Sequence, residues 1–154
     1  MSDGSFRKID IDAFGDDHVT EEELYPPDLP SSDDVYADVQ GRTEQVRSLL
    51  RRGDVHSALP LVLANPPYGV RNESAKEIHS HTVMEVLSSI KASEITILLK
   101  QLSPDDNDVL MKYLYKGMAS PETYNMAVLL NWHEKLVEVA GNGAIVRAIS
   151  GYTV

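Results

Sequence analysis

SPDDNDVLMKYLYKGM, residues 103–118, carries the clearest secondary-structure signal in the chain. It opens with the pieces of a helix start: Ser103 as N-cap, Pro104 at the first position, and Asp105 and Asp106 at the positive end of the helix dipole. Leu110, Tyr113 and Leu114 then recur at helical spacing, while Met111, Tyr115 and Met118 face another side. Asp108, Lys112 and Lys116 stand four apart and form one narrow solvent stripe with a favourable acid-then-base pair. Gly117 is placed to stop the helix at about Tyr115 or Lys116. So narrow a polar stripe predicts a mostly buried helix, with two tyrosine hydroxyls that need partners. Tyr113 and Tyr115 are therefore read as core residues or as contacts to a partner protein. Interleaved aromatics and lysines also occur in nucleic-acid grooves, but the lysines here share one stripe and the tyrosines do not line it.

The same punctuation continues on both sides. Downstream, Ser120-Pro121-Glu122 predicts the start of a sixth helix, running to Ala140 before Gly141, and a short seventh covers Ala144–Ser150. Upstream, a fourth helix is expected over about Glu94–Leu102 with Ser93 as cap. A third is expected over about Ala75–Ile90, with Ser74 and Glu77 as a capping box and Ile78, Val83, Val86, Leu87 and Ile90 as its apolar face. Thr43–Arg52 reads as the first helix, Gly53 as its stop, and Asp54 as N-cap of a second helix over about Val55–Ala64. Pro60 inside that second helix should kink or shorten it, and Asn65-Pro66-Pro67 ends it. Strand signals are nearly absent. The fold class is all-α, about seven short helices in an antiparallel α-α superhelix, and no repeat of fixed period names a solenoid family.

LLNWHEKL, residues 129–136, contains a His-Glu pair of the kind found in helical zinc motifs. A shared metal needs a second His one turn on, and position 137 is Val. His79 and His81 are two apart and diverge on a helix. No metal site is expected. Met126, Leu129, Leu130, His133, Leu136, Val137 and Ala140 fall on one stripe, so His133 is read as a buried or interfacial residue with one satisfied hydrogen bond. Trp132 lies beside that stripe with Val128 and Val139, which makes the helix wide-faced: central to the core, or packed on a second protein. Gly141-Asn142-Gly143 lacks the third glycine and the preceding strand of a dinucleotide loop, and reads as a helix cap and turn. Arg42, Arg47, Arg51 and Arg52 give the first helix a basic side, read as a solvated face that could also receive an acidic partner. No catalytic arrangement stands out, and neither a cofactor nor a catalytic residue is expected.

Charge divides the chain in two. Of its 24 acids and 14 bases, twelve acids and two bases fall within residues 1–40, which leaves twelve of each for residues 41–154. The expectation is an acidic, flexible tail over 1–40 and a neutral helical body over 41–154. An acidic tail repels phosphate backbones, so nucleic acid is not an expected partner. There is no cysteine, no apolar run long enough to span a bilayer and no apolar signal core in MSDGSFRKIDID, which together predict a soluble cytoplasmic protein without membrane insertion. Within the tail, Phe6, Ile9, Ile11 and Phe14 are large apolar residues set among charges. Ile9 and Ile11 alternate with Asp10 and Asp12, so an extended backbone puts both on one side. Such anchors suggest a segment that folds onto a partner with positive patches.

Six motifs in order carry a family resemblance: FRKIDID at 6–12, NPP at 65–67, LMKYLYKG at 110–117, SP at 120–121, LLNWHEK at 129–135 and GNGAIVR at 141–147. Together they resemble the smallest subunit, subunit five, of the actin-related protein 2/3 complex, over nearly the whole chain. Residues 15–40 match only in being acidic, and Pro60 stands where a helix-compatible residue is expected. The resemblance implies a non-catalytic subunit of a seven-protein assembly that nucleates a branch from the side of an actin filament. It implies a body docked on the β-propeller subunit and on subunit four, and an N-terminal segment that tethers the actin-related protein 2 subunit. The matching positions are Phe6, Arg7, Ile9, Ile11 and Phe14, with Tyr113, Tyr115, Trp132 and His133 as partner or core residues of the body. A free-standing helical adaptor that binds peptides is the alternative from another class, and a hydrolase using His133 and Glu134 would need bound zinc.

Overall fold

The computed structural model describes residues 32–68, 73–151 and 154. They form seven helices with no strand among them: α1 (Ser32–Arg51), α2 (Val55–Leu63), α3 (Glu73–Ser89), α4 (Ala92–Gln101), α5 (Pro104–Met118), α6 (Met126–Ala140) and α7 (Asn142–Ser150). The all-α expectation holds. The first three helices pack on one another, α5 packs on α6 and α7, α4 packs on α6, and α3 joins the two groups by touching α5 and α6. Trp132, Tyr113, Leu59, Leu87, Leu110 and Leu136 are among the largest side chains closed to solvent at the centre.

Several local signals act as the sequence predicts. Gly53 ends α1 at φ +74°, with its N–H on the Leu50 carbonyl at 2.9 Å and the Asp54 N–H on Leu49 at 3.0 Å. This pair of bonds is the Schellman arrangement, which favours a residue without a Cβ. Asp54 then caps α2 by accepting the Ser57 N–H at 3.1 Å, and the Ser57 side chain first, then its backbone N–H, lower the Asp54 carboxyl pKa. Ser103 Oγ accepts the Asp106 N–H at 3.1 Å, and Asp106 Oδ2 accepts the Ser103 N–H at 3.3 Å, a reciprocal capping box at the start of α5. Gly141, also at φ +74°, turns the chain from α6 into α7.

Other boundaries differ from expectation. α1 starts at Ser32, eleven residues before Thr43, and takes in residues 32–40 that the sequence reading places in the tail. Val39 in this added stretch is buried at 1% exposure, so tertiary packing stabilises helix where charge density hides the period. Pro60 neither breaks nor ends α2. Pro60 stands on the exposed side of α2, and its carbonyl still accepts from Ala64 at 3.1 Å. Ser74 lies inside the first turn of α3, where Ala75 is buried, and so does not cap it. Ser93 likewise lies inside α4, whose N-cap is Lys91 without a side-chain cap bond. Ser120-Pro121-Glu122 forms turns, with Thr123 and Tyr124 N–H groups on the Ser120 carbonyl, and α6 starts at Met126 under an Asn125 cap.

Gly117 does not stop α5. It is buried within the helix, and a Cβ there would sit 2.6 Å from Met84 Cε and 2.9 Å from Leu129 Cδ1. The residue reads as a stop signal but serves as a point of close approach, where α5 meets Met84 of α3 and Leu129 of α6.

Candidate interaction surface

The two tyrosines of α5 both find histidines. The Tyr113 hydroxyl lies 2.7 Å from His79 Nδ1 inside the core, and the Tyr115 hydroxyl lies 3.3 Å from His133 Nε2 at half-buried positions between α5 and α6. Burial, the largest cause, pushes His79 down to about pKa 4 and raises the Tyr113 hydroxyl. A backbone interaction with Val62 offsets part of the His79 shift, although Nε2 makes no hydrogen bond of good geometry among the described residues. Tyr113 is thus a core residue. Tyr115 and His133 sit at the boundary between core and surface, as an edge-on pair with ring centres 5.7 Å apart.

Trp132 is fully buried, and its indole N–H donates to the Leu87 carbonyl at 3.1 Å. It is core. The inward face of α6 is therefore Leu129, Trp132 and Leu136, rotated from the predicted stripe, and Leu130 is left 57% exposed. An indole buries more apolar area than a leucine and satisfies its own polar atom here, so it takes the inward position.

The polar stripe of α5 does more than meet solvent. Asp108 takes Arg147 of α7 in a bidentate pair, with Nη2 2.9 Å from Oδ1. Lys112 stands 4.7 Å from the centre of the Tyr68 ring, and Lys116 donates to Val154 O at 2.9 Å. Nor is the basic side of α1 uniformly solvated. The Arg42 side chain is only 9% exposed. It donates to the carbonyls of Ala64 and Asn65, the latter at 2.8 Å, and pairs with Asp38. It thereby satisfies the carbonyls at the end of α2. The sequence showed a basic side but not which of its arginines would reach across.

A groove of about 800 Å³ runs between α1 and α3. Gln40, Thr43, Glu44 and Arg47 line it from one face of α1, and Glu73, Glu77, His81 and Met84 from one face of α3. Lys116 and Gly117 of α5, and Ser120, Thr123 and Tyr124 of the turns after it, line it as well. Periodicity could not reveal it, because it depends on how two helices separated by α2 are set side by side.

Among the described residues, no group of three His, Asp or Glu side chains is placed to hold a metal ion. No helix of the described residues is long and apolar enough to cross a membrane. Phe6, Arg7, Ile9, Ile11 and Phe14 lie outside the described residues.

Comparison with known proteins gives these surfaces a context. A 41% identical relative, "Actin-related protein 2/3 complex subunit 5-C" of Xenopus laevis, aligns over 94% of this chain and 91% of its own length. "Actin-related protein 2/3 complex subunit 5-like protein" of Homo sapiens is 35% identical over the same shares. "Actin-related protein 2/3 complex subunit 5" of Saccharomyces cerevisiae is 36% identical over 96% of each chain. The profile of one family matches residues 5–153, from the N-terminal apolar anchors to the end of the helical body, and the chain belongs to that family: the ARP2/3 complex 16 kDa subunit (p16-Arc).

Proposed function

We propose that the chain is a non-catalytic structural subunit of an actin-related protein 2/3 complex, acting in the cytoplasm where that complex nucleates branched actin filaments. The observation that carries this reading is the family match over residues 5–153, which spans both the charged N-terminal stretch and the helical body. Relatives matched over nine tenths or more of both chains carry the name of this complex. In this reading the body docks on the β-propeller subunit and on subunit four. The N-terminal segment tethers the actin-related protein 2 subunit through Phe6, Ile9, Ile11 and Phe14, with Arg7 beside them. Alternating apolar residues in an acidic segment suit an extended segment laid on a surface with positive patches.

Affinity purification of the tagged full-length chain, followed by mass spectrometry, tests assembly. Stoichiometric co-elution with the other subunits is expected. A chain that runs free supports the peptide-binding adaptor instead. The tether is tested in the full chain with Phe6, Ile9, Ile11 and Phe14 each changed to Ala. The body should stay in the assembly while the actin-related protein 2 subunit dissociates more readily, and unchanged retention of that subunit removes the tether.

A further inference from the structure

The groove between α1 and α3 combines an apolar floor with an acidic rim. Met84 and the half-buried Ile78 and Tyr124 supply its apolar surface. Glu44 on α1 and Glu77 on α3 are exposed on its two sides, and neither has an ion-pair or hydrogen-bond partner among the described residues. The bases that also line it are already engaged: Arg47 with Glu85 at 3.1 Å, and Lys116 with Val154 O at 2.9 Å. Lys116 keeps its charge when it donates to that oxygen, and Glu73 and Glu77 act on it. With three acids in the lining (Glu44, Glu73 and Glu77) against two bases (Arg47 and Lys116), the net charge that meets an incoming group is negative. From Glu73 to Met84 the α3 wall runs roughly 16 Å at helical rise, about three turns. Methionine adapts its shape to what it meets, which suits the floor of a peptide-binding groove.

We propose that this groove receives a basic segment of another polypeptide, with lysine or arginine against Glu44 and Glu77 and an aliphatic side chain on Met84 and Ile78. Charge decides among the occupants. The chain's own residues 1–31 hold nine acids against two bases, so the acidic rim repels them. A second copy carries a net charge of −10 and is opposed by the same field. A basic amphipathic helix laid in a groove satisfies both features at once. That the segment belongs to a neighbouring subunit rests on the assembly reading above; the binding itself does not.

The test uses the isolated full-length chain and a synthetic amphipathic peptide of leucine and lysine, about fifteen residues long, beside its leucine–glutamate counterpart. Binding is read by fluorescence anisotropy, and its place by the methyl NMR signals of Met84 and Ile78. The lysine peptide should bind, shift both signals, and lose at least about tenfold in affinity in the Glu44→Lys, Glu77→Lys double variant. The Glu134→Lys, Glu138→Lys variant carries the same charge change on the exposed side of α6 and should bind as wild type does. Circular dichroism checks folding; if the double reversal unfolds, Glu44→Gln with Glu77→Gln should still weaken binding by about threefold. Equal loss in both reversal variants, or none in either, means that general charge or the acidic residues 1–31 attract the peptide, and overturns the proposal. Equal binding of the glutamate peptide also overturns it. Co-elution of the wild-type chain with the complex is a separate measurement, so failure of the groove and failure of the assembly reading are told apart.

Discussion

The hydroxyl of Tyr113 and Nδ1 of His79 stand 2.7 Å apart, and both side chains are closed to solvent. The two residues are 34 apart in sequence and tie α3 to α5 at the middle of the body. Burial holds His79 neutral, at a pKa of about 4 against an ordinary 6.5. A neutral imidazole offers one donor and one acceptor, which lets a buried tyrosine be satisfied without a charge.

This pair makes stability depend on pH. The folded pKa of His79 lies below the unfolded value, so the unfolded chain binds the extra proton first as pH falls. The histidine contribution is complete above about pH 6.5 and is lost as pH drops toward 4. Between about pH 7.5 and 5.5, before most carboxylates titrate, the loss should be roughly 1 kcal/mol. Urea unfolding of wild type and of His79→Gln at the two pH values checks this, and the variant should show a markedly flatter dependence.

The two tyrosines of α5 should respond differently to loss of the hydroxyl. Tyr113→Phe leaves His79 without its buried partner and should cost about 1–3 kcal/mol. Tyr115→Phe removes a 3.3 Å bond at a half-buried position and should cost about 0.5 kcal/mol or less. Denaturant midpoints of the two variants, measured side by side, make the comparison.

Trp132→Phe should destabilise the body by about 2–3 kcal/mol. The smaller ring leaves a void and strands the Leu87 carbonyl that now accepts the indole N–H. The exposed Leu130, two residues away on the other face of α6, provides the contrast, since Leu130→Ala should change thermal stability by well under 1 kcal/mol.

Arg42→Ala removes the donors to two carbonyls at the end of α2 and should cost about 2 kcal/mol. Arg51→Ala, on the same helix and exposed, should stay within about 0.5 kcal/mol. Amide hydrogen exchange should show faster opening of the last turn of α2 in the first variant only.

Glycine effects should differ in sign with the backbone. Gly41 lies inside α1, and nothing stands within 4 Å of an added Cβ, so Gly41→Ala should stabilise by about 0.5–1 kcal/mol. Gly141 holds φ +74°, so Gly141→Ala should destabilise by about 1 kcal/mol although the space there is open. Differential scanning calorimetry of both variants reads the opposite shifts in melting temperature.

Local chemistry alone determined much of this protein. The all-α class, the Gly53 stop, the Asp54 and Ser103 caps, the turn at Gly141 and the tyrosines' need for partners all follow from residues within a turn or two of one another. So do the six ordered motifs that carried the resemblance to the p16-Arc family. Tertiary structure decided wherever a residue's role depends on a distant neighbour. Gly117 carries a stop signal, yet Met84 and Leu129 make it a contact point within the last turn of α5, which ends one residue later at Met118. Trp132 lay beside the predicted stripe, and in the packed body it is core, with its N–H satisfied by the Leu87 carbonyl. Arg42 resembled its solvated neighbours until the end of α2 was placed against it. The groove between α1 and α3 exists only once the two helices pack. Capping and periodicity act over a few residues and can be read in order along the chain. Burial, close approach and surface shape are properties of pairs of helices, and only the packed body specifies which pairs meet.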